Sequence, residues 1–140
     1  HEENFAYVYN RVLFLGINLV GGLVHDANEW QQRHRANLNW IDGQYQVKQN
    51  DFDYMVILAH ADPRIQTNRD FFDVLFPRVK SNYTSKEVIF VHRNLGGQPW
   101  LNQPSYNDIP NLRVIVAKGS VWPPMRVQVD PATDRVAVDQ

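Results

Sequence analysis

The stretch YMVILAHADPR, residues 54–64, decides the fold. Its apolar run is too short and too uniformly apolar for an amphipathic helix, so it reads as a central strand. It ends on His60, with Asp62 and Pro63 just behind. A counterpart lies in EVIFVHRNLGGQPW, residues 87–100, where β-branched and aromatic residues end on His92 and break into a glycine-rich loop. Between the two, NRDFFDVLFPRVK, residues 68–80, sets Phe71, Phe72, Leu75, Phe76 and Val79 at helical spacing. Pro77 should kink or end that helix, because it removes a backbone donor and crowds the preceding turn.

Upstream, residues 5–20 read as two extended segments broken at Asn10-Arg11, followed by a loop punctuated by Gly16, Gly21 and Gly22. Asp26 and Glu29 have the spacing of a capping box, which predicts a helix over 27–46. Trp30, His34, Leu38, Ile41 and Tyr45 form its apolar stripe, and Asn and Gln crowd its other face. The middle of the chain thus alternates strand and helix, the pattern of an α/β fold with parallel pairing through right-handed crossovers. The C-terminal segments NLRVIVAKGS, PMRVQVDP and RVAVDQ read as three short strands expected to finish a mixed sheet in antiparallel fashion.

The 140 residues suit one core, with no repeat or linker to divide them. A net charge of -1 offers no field to hold a phosphate backbone, so nucleic acid is not an expected partner, and the Arg33 to Arg35 cluster reads as a solvated helix face. No apolar run reaches the roughly 20 residues of a membrane span. There is no cysteine, which excludes disulfides and thiolate metal sites. Asn82-Tyr83-Thr84 is a glycosylation sequon in a polar turn, and a glycan on Asn82 would accompany a secreted or cell-surface location. The chain begins at His1, which suggests a processed product or an excised piece.

Ligands of α/β sheets sit beyond the carboxyl ends of strands, where His60, His92 and the segment from Lys118 to Trp122 fall. A neutral imidazole there can bind a divalent cation, with Asp62 or Asn94 adding oxygen. The plainer use of both histidines is to end a strand with a ring nitrogen bonded to backbone. Trp100, Trp122, Pro123 and Pro124 read as cover for the sheet edge or as a contact surface. GxSxG, GxxxxGK[ST], HExxH and GxGxxG motifs do not occur.

The ordered set EENFAY, RVLFLGINLVGG, EWQQRHRANLNWI, VILAHADPR, VIFVHRNLG, NLRVIVAKGS and PMRVQVDP resembles the C-terminal half of calcineurin-like metallophosphoesterases. Arg35, Ala36, Leu38 and Trp40 match the helix motif that follows the glycine-asparagine strand end in one subgroup. The resemblance spans essentially the whole chain and implies the C-terminal half of a four-layer αββα sandwich with two metals at the edge between its sheets. It also implies that the Asp-x-His, Gly-Asp and Gly-Asn-His-Asp/Glu motifs belong to a half preceding this chain.

In the resemblance His60 stands where the family has its first C-terminal histidine ligand. The later GHxH or GDxH position reads Arg93, Asn94, Leu95, Gly96, with Asn94 in place of the first ligand and glycine in place of the last histidine. His92, Asp62 and Arg93 fall at the rim. The expected function is a catalytically degenerate metallophosphoesterase-like domain acting as a structural or binding module, with a bound zinc, iron or manganese ion as the open cofactor question. The rival is an active metal-dependent phosphoesterase whose upstream half comes from the full-length precursor or an associated chain. Half of such a sandwich should leave one apolar sheet face bare, so a partner chain or self-association is expected to cover it.

Overall fold

The computed structural model describes residues 3–21, 24–93, 100–118, 122, 124–130 and 135–139. Strands β1 (Phe5–Tyr9) and β2 (Val12–Gly16) form a hairpin across Asn10 and Arg11, both at positive φ (45° and 60°). Two central residues in that region make a turn whose twist matches the flanking strands, and asparagine tolerates it well.

Helix α1 (Ala27–Lys48) then leads to β3 (Tyr54–Ala59), and α2 (Arg69–Ser81) to β4 (Glu87–Arg93). Short β5 (Leu101–Gln103) precedes β6 (Leu112–Ala117), and β7 (Arg126–Asp130) and β8 (Arg135–Asp139) close the chain. The main sheet has the order β1-β2-β3-β4-β6-β5, parallel from β2 to β6 with an antiparallel strand at each edge. The α/β class and the mixed sheet are as the sequence reads.

Asp26 caps α1 by accepting the backbone N–H groups of Asn28 (2.8 Å) and Glu29 (3.1 Å). The Glu29 side chain pairs with Arg33 (2.8 Å), one turn on, rather than reaching back as a capping box would. Asn37 lies on the packed side of α1, against the expectation of a solvated amide face: it bonds the carbonyl of Asn18 (3.0 Å) and receives a bond from Asn4 (2.9 Å).

Helix α2 runs on through Pro77, where the sequence predicts a kink or an end. Pro77 and Asp73, whose carbonyl loses its donor, both face solvent, while Phe76 and Val79 anchor the last turn in the core. The helices cover one face of the sheet, where Leu13, Leu15, Met55, Ile57, Val88 and Phe90 meet Leu38, Ile41, Phe71, Phe72 and Leu75.

Two expectations change at the C-terminus. Strands β7 and β8 do not finish the main sheet; they pair with each other as a separate hairpin. Nor is the second face bare, because Val136 and Val138, with Val127, Val129 and Met125, pack onto Val12, Phe14, Val56, Ile89, Val91 and Ile115. Alternation explains both: a two-stranded ribbon with an apolar face gains more by laying it over a sheet than by extending an edge. Trp100 joins this second core, whereas Trp122 is exposed and Pro123 lies outside the described residues. No described helix is long and apolar enough to cross a membrane.

Candidate functional site

The carboxyl ends of β2, β3 and β4 open onto a groove of about 490 Å³ lined by Gly16, Asn18, Leu58, His60 and Arg93, with Glu3 and Phe5 at its mouth. Asn18 follows the last residues of β2, and its backbone is held on both sides: its N–H donates to Asn4 (2.8 Å) and its carbonyl accepts from Asn37. The Asn18 side-chain amide donates to the Glu3 carboxylate. These long-range asparagine bonds fix the loop leaving β2. Glu3 and Asn4 carried no local signal, since their partners lie 14 or more residues away.

The parallel register of β3 and β4 sets Ala59 opposite His92, which carries Arg93 alongside His60. Successive residues of a strand face opposite sides of a sheet. His60 and Arg93 therefore share the hairpin side with the groove, whereas His92 follows Val88 and Phe90 onto the helix side. The two histidines that end the two strands thus stand on opposite sides of the sheet, close enough for the His60 charge to be felt at His92.

His60 makes its firmest contact with Arg93, whose guanidinium nitrogen lies 3.2 Å from Nε2. Two donors face the ring: the Gly21 N–H donates to Nδ1 (3.4 Å), and the guanidinium, which only donates, lies against Nε2, so a neutral imidazole has one lone pair between them. Arg93 thus puts a positive charge on the edge of His60 that would face a metal. Asn94 lies outside the described residues, and among the described residues no group of three or more His, Asp and Glu side chains gathers in metal-binding geometry. The described side chains do not fit a divalent cation: the available imidazole is covered by a cation, and Glu3, the carboxylate in the same groove, makes no group of three with it.

His92 and Asp62 belong to a second cluster under the helix layer. His92 is 2% exposed, and its Nδ1 donates to the carbonyl of Arg93 (3.0 Å). Asp62 is buried too, and Arg64 holds it through its backbone N–H (2.8 Å) and through a forked guanidinium pair whose shortest contact is 2.6 Å. The i to i+2 bond is a local turn that the Asp-Pro-Arg sequence could have disclosed.

Burial pushes the Asp62 carboxyl up, but the bonds from Arg64 outweigh it and leave it below its usual value. Burial lowers the His92 pKa, and the nearby Asp62 charge only partly opposes the shift. The plainer reading of His92, a strand-end histidine bonded to backbone, matches this geometry.

Acid sensitivity follows. A histidine whose pKa falls on folding adds stability that is fully present above its unfolded value near 6.5 and is lost as pH drops through the folded value. Asp62 acts in the same direction lower down, its contribution being complete above 3.8. His92→Gln keeps an N–H for the Arg93 carbonyl and removes the titration. Its melting temperature should fall less steeply than that of the parent between pH 7 and pH 5; parallel curves in a thermal-melt series would assign the acid response to other groups.

Asn82, the sequon asparagine, is exposed at the C-cap of α2 and far along the chain from the groove. Tyr83 beside it is buried and donates to Asp42, which also takes Arg78 (2.5 Å), while Thr84 is exposed. Burial, with the Asp42 bond, pushes the Tyr83 phenol far above its usual value, so it stays a donor. Compared with known proteins, the chain matches no family model, no curated protein and no solved structure.

Proposed function

We propose that this chain is the C-terminal half of a metallophosphoesterase-like αββα sandwich whose metal edge has degenerated, and that it serves as a structural or binding module. The observation that carries the reading is the Arg93 guanidinium on His60 Nε2, a fixed positive charge where the resemblance implies metal ions. The helix layer on one face of the mixed sheet supports it as well, while the β-ribbon over the other face takes the place where the second sheet of such a sandwich would pack. Placement outside the cell is part of the reading and rests on the exposed Asn82 sequon, for which a glycan in the intact mass of the natural protein is the direct mark.

Zinc or manganese titrated into the chain should give no saturable binding tighter than about 100 μM by calorimetry, and His60→Ala should leave the trace unchanged. Stoichiometric, tight binding abolished by His60→Ala would overturn the degenerate reading. It would favour the second one, an active phosphoesterase completed by an upstream half or an associated chain. One feature speaks for that rival: Arg93 is exposed at an open groove, so an incoming chain bearing carboxylates has room to draw the guanidinium off His60.

A further inference from the structure

The two edges of the main sheet are protected unequally. Edge strand β5 is three residues long and is followed by Pro104, a short stub that offers little to an incoming strand. Edge strand β1 is FAYVY, five residues without a charge or a proline, and among the described residues nothing pairs with its outer side. Its aromatic residues all face one way, Phe5 stacked on Tyr7 and Tyr7 on Phe14, yet they stand 48%, 51% and 58% exposed at Phe5, Tyr7 and Tyr9. An uncharged aromatic edge strand is a template for another strand.

The hairpin fixes which backbone groups are on offer. Tyr9 and Val12 flank the two-residue turn and form the closing hydrogen-bonded pair, so Phe5, Tyr7 and Tyr9 direct their N–H and C=O groups to β2. Those of Ala6 and Val8 point outward. We propose that β1 pairs antiparallel with β1 of a second copy of this chain about a two-fold axis at Tyr7, joining two sheets into one.

That register sets Ala6 against Val8 of the second copy, outward group to outward group, and Phe5 against Tyr9, aromatic to aromatic. It also places Glu3 opposite Arg11 of the second copy, so opposite charges meet at both ends of the pair. Within one chain Glu3 accepts from Asn18 beyond β2 and Arg11 is held by Asp53 ahead of β3 at 2.5 Å, so the pairing has Glu3 turn from Asn18 toward the second copy's Arg11. This charge complementarity and the strand's self-matching pattern select a second copy as the occupant. The inference is independent of whether the groove holds a metal.

Sedimentation equilibrium of the 140-residue chain tests it, with a dimer as the expected species. Val8→Pro removes an outward N–H that the β1–β2 ladder does not use, and should weaken the dimer about tenfold or more while the circular dichroism spectrum keeps its shape. Glu3→Lys, a milder change at an exposed position, sets like charges opposite one another and should weaken the dimer severalfold, more at low salt. A monomer at about 100 μM overturns the proposal. So does a dimer whose affinity neither substitution alters, because its contact must then lie elsewhere.

Discussion

Phe90→Ala lowers the unfolding free energy by about 3–5 kcal/mol, a loss that urea denaturation reads as a shift in midpoint at unchanged slope. Phe90 sits on β4 between β3 and β6, fully buried, with its ring edge-to-face with Phe72 at 5.1 Å. The cost of deleting a ring depends on whether the surroundings can collapse into the space. Here three ties hold the helix layer in place. The Trp30 indole donates to the Thr67 carbonyl (2.8 Å), His34 pairs with Asp70 (2.7 Å), and Arg78 on α2 pairs with Asp42 on α1 (2.5 Å). A loss under about 1.5 kcal/mol would mean that the helices slide inward and fill the gap.

Val138→Asp has the second large effect, about 3 kcal/mol, with a rise in binding of an apolar dye. Val138 is buried in the contact between the C-terminal hairpin and the sheet, packed with Val136 near Val56 and Ile89. Its carboxylate would be placed against an apolar floor, so the ribbon must lift or the charge must be neutralised. Lifting the ribbon exposes Val12, Phe14, Val91 and Ile115. Stability within about 0.5 kcal/mol of the parent would show the hairpin to be an appendage outside the cooperative core.

Much of this fold was legible along the chain. The uniformly apolar runs 55–58 and 88–91 read as buried strands by their shortness and β-branched content, and Asp26 announced α1, because run length and cap chemistry are local properties. Pro77 did not end α2 on the spot, although its ring removes a backbone donor there. At residue 77 the ring faces solvent and the apolar side chains on either side hold the helix together. The C-terminal valines showed their alternation plainly, but alternation says that one face will be buried and not against what.

The candidate site divides along the same line. By itself the sequence determined that His60 and His92 would stand at the carboxyl ends of two strands, since the apolar runs stop there. Only the tertiary structure decided that they face opposite sides of the sheet, and that Arg93 rather than His92 is the neighbour of His60. The physical reason is register. Side-chain direction reverses at every residue of a strand, so a one-residue offset between residues 33 apart in the chain changes which groups can meet, and cross-strand hydrogen bonds set that offset.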